Sequence, residues 1–127
     1  MAAKPNPCPC GPQNYADCCG RYHGGVPAPD AAALMRSRYS AYVLRLEDYL
    51  LATWHPDTRP TVLDLKADNT KWLGLEVKRH VAESEDRATV EFIARYKIGG
   101  RAHRLHEISR FVRENGLWFY VDGVFPD

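Results

Sequence analysis

All four cysteines of this 127-residue chain fall in the stretch CPCGPQNYADCCG, residues 8–20. Thiolates are soft ligands, and four of them this close can surround one metal ion with little help from the rest of the chain. Cys8 and Cys10 flank Pro9, so a turn begun by the proline and released by Gly11 aims both sulfurs at one point. Cys18 and Cys19 can close a tetrahedron from the other side, with Gly20 freeing the backbone behind them. The expected cofactor is zinc, one per chain, on Cys8, Cys10, Cys18 and Cys19. Such a closed site leaves no coordination position for water, so its role would be structural. His23 is the alternate ligand, because consecutive residues can both ligate only where the backbone turns sharply. A disulfide framework fits less well, since Cys18 and Cys19 are poorly placed to bridge each other. Four clustered surface thiols without metal would be a reactive liability.

A second candidate lies in the run 102–112. Leu105, Glu107, Ser109 and Phe111 alternate there, so a strand would put a carboxylate and a hydroxyl in line with two large apolar groups. If that face turns inward, Glu107 is half-buried, its pKa could rise, and it could act as a base with His55 or His106 as partner. Arg110 is too far round the pleat to neutralise it. The simpler reading has Glu107 paired with an arginine at the sheet edge or facing solvent. Trp54 and Trp72 could line an aromatic pocket with these residues, although burying area in the core is the commoner use of tryptophan. His55 precedes Pro56 and reads as a helix-end residue that satisfies terminal carbonyls. No nucleophile or second acid accompanies Glu107, so the catalytic set is incomplete and binding is favoured over turnover.

These residues need elements to position them. Asp30 is an N-cap candidate for a helix in which Leu34, Tyr39, Tyr42, Val43 and Leu46 recur at three and four. A short helix over 47–54 should end at His55-Pro56, and 61–68 reads as another helical turn or two. From Trp72 the period switches to two. Strands are expected over 72–81, 88–98, 102–112 and 117–121, with Gly99-Gly100 and Asn115-Gly116 as hairpin turns. Helices followed by an antiparallel sheet make an α+β fold.

The order of motifs resembles a known family. Cys8-Pro9-Cys10-Gly11, Tyr15 and Cys18-Cys19-Gly20 look like the SEC-C zinc motif of the bacterial preprotein translocase ATPase. Leu34-Met35-Arg36-Ser37-Arg38-Tyr39, Thr53-Trp54-His55-Pro56, Trp72-Leu73-Gly74-Leu75 and Ser109-Arg110-Phe111 are similar to the YchJ-like family of bacterial proteins. The resemblance implies a SEC-C-type zinc knuckle over 1–25. Behind it, over 29–127, it implies a cone-shaped nuclear-transport-factor-2-like (cystatin-like) domain, with helices packed on a curved antiparallel sheet.

Composition narrows the partners. Seventeen Lys and Arg nearly balance sixteen Asp and Glu, for a formal net charge of +1, so the charge excess of a strong phosphate binder is missing. Arg36, Arg38 and Arg45 read as a solvated helix face, and a weak RNA or ribosome contact would need a stripe uniting Arg21, Arg36 and Arg38. No apolar run approaches a spanning helix or a signal h-region, so membrane is not expected and the cytoplasm is. The favoured role is a non-catalytic interaction or adaptor module that meets a protein partner through the knuckle. The alternatives are a small molecule bound in the cone around Glu107, and an RNA accessory role.

Overall fold

A computed structural model of the chain describes residues 6–126. The first five residues of the expected knuckle, and Asp127, lie outside the described residues. The knuckle consists of a 3-10 turn, Tyr15–Asp17, and one helical turn, α1 (Cys19–His23). Two helices follow, α2 (Ala31–Leu44) and α3 (Glu47–Ala52), then strands β1 (Lys71–Ala82), β2 (Arg87–Ile98), β3 (Arg101–Glu114) and β4 (Leu117–Val124). The strands lie in sequence order in one antiparallel sheet. The fold is α+β, with helices packed on a four-stranded sheet.

Local chemistry sets the helix ends. Asp30 caps α2, its Oδ1 accepting from the Ala33 N–H at 2.8 Å, which satisfies one of the free donors of the first turn. At the other end Arg45 takes the left-handed conformation (φ 61°). The Leu46 N–H then reaches the Ala41 carbonyl at 2.8 Å and the Arg45 N–H the Tyr42 carbonyl at 3.3 Å, a Schellman closure with arginine where glycine is usual. Arg45 offsets that strain by donating to the carbonyls of Leu65 and Asp68, at 2.6 and 2.5 Å. Two of the three hairpins turn through positive φ, β2–β3 at Gly99 and Gly100 and β3–β4 at Asn115 and Gly116, as tight type I′ connections require.

Three irregularities in register, at Trp72/Gly74, Val77/Arg79 and Arg110/Phe111, interrupt the ladders and help the sheet to curl. Its concave face carries Ala88, Val90, Phe92 and Ala94 of β2 opposite Phe111, Ser109, Glu107 and Leu105 of β3. Helix α2 lies across this face. The core joins Leu34, Met35 and Tyr39 of α2 to Val90, Phe92 and Phe111 of the sheet, and the four cysteines belong to the same buried cluster. Each large side chain so buried contributes ~2 kcal/mol. The knuckle is thus packed onto α2, and its cysteines belong to the core that α2 shares with the sheet.

Three expectations change. Residues 61–68 hold a turn rather than a helix: Asp64 adopts φ 57°, a left-handed conformation that stops a helix. The second helix ends at Ala52 because the next residues join the sheet. The His55 N–H bonds the Tyr120 carbonyl at 2.8 Å and the Tyr120 N–H bonds the Thr53 carbonyl at 2.9 Å. Finally, Arg36, Arg38 and Arg45 do not share a solvated face, because Arg38 points inward and is only 5% exposed.

Candidate functional site

The four cysteine sulfurs lie within 4.8 Å of one another, and all four residues are buried. Cys10 Sγ is 3.5 Å from Cys18 Sγ and 3.6 Å from Cys19 Sγ. A tetrahedral zinc–thiolate centre, with bonds of about 2.3 Å, has sulfur–sulfur edges of roughly 3.8 Å, so the cluster fits a single ion. Gly20 is required by packing as well as by flexibility: a Cβ there would sit 2.7 Å from the Tyr15 carbonyl oxygen. The Ser40 hydroxyl of α2 lies 3.4 Å from Cys8 Sγ and can orient that ligand from behind.

Without a cation these sulfurs cannot all ionise. Hydrogen bonds from Cys19, and then from Cys18 and Cys8, lower Cys10 to about 5. Burial, followed by the interaction with Cys10, pushes Cys18 up to about 11. Cys19 rises far above the thiol range, chiefly because it donates to Cys10. A bound divalent cation would remove the repulsion that opposes the later ionisations.

His23 stands apart from the sulfur cluster. Its Nε2 meets the Ser37 carbonyl at 2.8 Å, and a carbonyl only accepts, so Nε2 carries the proton. Nδ1 then accepts from the Tyr15 hydroxyl at 2.6 Å. With both nitrogens engaged, His23 joins the knuckle to α2.

The second site is a cavity of about 270 Å³ between α2 and the concave face of the sheet. Trp54, Trp72, Glu107 and Ser109 line it together with Arg38, Tyr42 and Tyr120. His55 does not: its Nε2 lies 3.0 Å from Glu114 Oε2 and its Nδ1 accepts from the Asp57 N–H, so it is neither a carbonyl cap nor a partner of Glu107. His106 is likewise engaged by Glu91, at 2.6 Å. Both tryptophans line the cavity, and Trp72 also packs against the core.

Glu107 is 7% exposed. Its Oε2 accepts from Ser109 Oγ at 2.6 Å and from the Tyr120 hydroxyl at 2.9 Å. Arg38 Nη1 donates to the Leu50 carbonyl at 2.8 Å and to Thr53 Oγ1 at 2.7 Å. The Arg38 guanidinium lies over the Tyr120 ring, 4.7 Å from its centroid, and over the Trp54 ring at 5.0 Å. Tyr120 therefore stands between the two charges, its face to the cation and its hydroxyl to the carboxylate. Burial pulls the Arg38 pKa down, against the opposing pull of the nearby tyrosines and Glu107. Burial and then Glu107 hold the Tyr120 pKa above its usual value, so Tyr120 stays a donor.

Arg38, Tyr42, Tyr120 and Gly123 escape a reading built on strands and cysteines. One signal was available: Leu34, Arg38 and Tyr42 follow at spacings of four, which sets a cation on the buried stripe of α2. Gly123 carried none. It faces the carboxylate so closely that a Cβ there would collide with Glu107.

Residues 30–123 match the family model described as "YchJ, middle NTF2-like domain". The chain belongs to the YchJ-like family. A UPF0225 protein of Chromobacterium violaceum is 63% identical over 123 residues, covering 92% of this chain and 91% of its own. One from Bordetella parapertussis is 58% identical over 125 residues, covering 95% and 94%. The solution structure of a SEC-C motif containing protein from Rhodopseudomonas palustris superposes with a TM-score of 0.83 at 36% identity, over 95% of this chain and 99% of that one. A crystal structure of a SEC-C motif containing protein from Psychrobacter arcticus gives 0.79 at 34%, over 95% and 83%. A YchJ-like chain thus joins a SEC-C cysteine motif to an NTF2-like domain. Among the described residues no helix is long and apolar enough to cross a membrane.

Proposed function

We propose that this YchJ-like protein is a non-catalytic small-molecule-binding protein whose cone is the binding site and whose N-terminal knuckle is fastened by one structural zinc. The zinc is held by Cys8, Cys10, Cys18 and Cys19. Their donor set and spacing support zinc over harder cations, and a closed four-sulfur site supports a role in stability. Because the sulfurs face α2, the knuckle has more the character of a fastener than of a docking module.

The binding reading is carried by one observation: Arg38 and Glu107 are both buried on the same cavity and do not pair with each other. Removing each charge from water costs several kcal/mol. The outer face of the sheet shows how this protein pairs charges when nothing intervenes: Arg110 grips Asp122 with two bonds of 2.6 Å. Unpaired buried charges around an open space are the pattern of a binding site.

Filling the cavity tests this. Ala94 is buried in its wall, and Ala94→Phe would occupy the space. Small molecules from a bacterial extract should shift the backbone amide resonances of Glu107, Ser109 and Tyr120 in the zinc-loaded protein, and should fail to do so in a folded Ala94→Phe variant. Shifts that survive the substitution would place binding elsewhere.

A further inference from the structure

We infer that the ligand of the cone is a small aromatic zwitterion of the amino-acid type, its carboxylate against Arg38 and its ammonium against Glu107. This rests on the reading of the cone as a binding site and adds the chemistry of what enters it.

Both charges keep unused bonding capacity. Nη1 of Arg38 is taken by Leu50 and Thr53 and Tyr42 lies within reach of the same guanidinium, yet no carboxylate among the described residues pairs with it. Both hydrogen bonds to Glu107 converge on Oε2, which leaves Oε1 without a donor among the described residues. Donor capacity is in excess at the Arg38 end. The Trp54 ring under the guanidinium carries the one buried side-chain polar atom that lacks a partner among the described residues, its Nε1.

The two charges cannot relieve each other while Tyr120 stands between them. The ring supports the cation and the hydroxyl holds the carboxylate, so closing the pair would break both contacts. A molecule with one charge would satisfy one end and leave the other unpaired, and an apolar molecule would leave both. A zwitterion completes both ends and leaves the net charge of the cavity unchanged.

The remaining wall describes the body of the ligand. Tyr39, Trp72, Phe92 and Phe111 form an aromatic lining suited to a flat ring packed edge or face on. At about 270 Å³ the cavity is just below the ~300 Å³ at which drug-sized pockets begin, so the ligand is of metabolite size.

The test uses the full zinc-loaded chain and four probes that differ in charge: L-phenylalanine, 3-phenylpropionate, phenethylamine and benzyl alcohol. Each is titrated while the amide resonances of Glu107, Ser109 and Tyr120 are followed. L-phenylalanine is expected to bind at least about tenfold tighter than either singly charged probe, the effect of one charged hydrogen bond. Glu107→Gln should remove the advantage of L-phenylalanine over 3-phenylpropionate while keeping the bond from Ser109. If that variant does not fold, the wild-type series alone decides. A singly charged or neutral probe that binds as well as L-phenylalanine overturns the zwitterion assignment and leaves the cone as a binding site. No shift from any of the four overturns both.

Discussion

The knuckle brings four like groups to one point, whereas the cone holds two unlike groups apart on either side of a tyrosine. In the knuckle, sulfurs 3.5 and 3.6 Å apart favour a single central cation, and the sequence supplies them within thirteen residues (8–20). In the cone, Arg38 comes from α2, Trp54 from the segment after α3, Glu107 from β3 and Tyr120 from β4, and the space between them remains open. The difference separates two uses of buried polarity. A cluster that one ion completes serves stability, and a pair that only a two-ended molecule completes serves recognition.

Breaking the knuckle should give the largest effect. Cys10→Ser removes the sulfur nearest to two others and should lose the metal along with ~4 kcal/mol or more of stability, the scale reserved for a lost metal or buried network. Metal analysis and denaturant unfolding would show both. His23→Ala should keep the metal, because both ring nitrogens are committed elsewhere, yet cost about 1–3 kcal/mol by leaving the Ser37 carbonyl and Tyr15 hydroxyl unpaired. If His23→Ala lost the metal while Cys19→Ser kept it, the three-cysteine, one-histidine centre would replace the four-cysteine one.

The cone should respond to single changes and forgive paired ones. Glu107→Leu takes away the acceptor of the Ser109 and Tyr120 hydroxyls and a nearby charge that favours the Arg38 cation, and should cost about 1–3 kcal/mol, whereas the double change with Arg38→Met should recover part of that loss. Additive losses in a double-mutant cycle would deny the coupling through Tyr120. Gly123→Ala drives a Cβ into the Glu107 carboxylate and should cost about 1–3 kcal/mol, with resonance shifts centred on Ser109 and Tyr120.

The two regions also differ in how far the sequence exposes them. The cysteine cluster is legible because Cys8, Cys10, Cys18 and Cys19 lie close together in the chain and that spacing suits a metal site. Asp30, the alternating strands and both hairpin turns are legible because each is a local rule. Arg38 is not, since the same arginine on a helix can face solvent or core, and only the sheet packed over α2 decides. Tyr120 and Gly123 depend on the irregularity at Arg110/Phe111, which shifts the alternation of β4 and is set by tertiary curvature. The false helix over 61–68 has the opposite cause: its composition permits a helix, but Glu47 accepts from the Leu63 and Leu65 N–H groups, Arg45 binds the Leu65 and Asp68 carbonyls, and the segment is held as a turn.

Smaller effects sharpen the comparison at its edges. Helix α2 supports both regions, so Asp30→Ala should cost about 1 kcal/mol and loosen knuckle and cone alike, as read by amide exchange in each. The pair Arg110–Asp122 on the outer face is the control for the charges inside. Arg110 lowers the Asp122 carboxyl, chiefly through its hydrogen bonds. The resulting stability is complete above the ordinary carboxylate value of about 4 and is lost as pH falls through the lowered one. At this exposed site the contribution is small because solvent screens it, and Asp122→Asn should flatten only that acidic part of the stability profile.

Amide exchange across the whole chain, with zinc bound and after chelation under reducing conditions, tests most directly whether fastening and binding are separate tasks. Loss of the metal should speed exchange through residues 8–23 and along α2 near Leu34 and Met35, which pack with the cysteines. The amides of β2 and β3 around Phe92, Glu107 and Ser109 should stay protected. Exchange that accelerates throughout the sheet, or that does not change in the knuckle, would contradict the division between a region that holds and a region that binds.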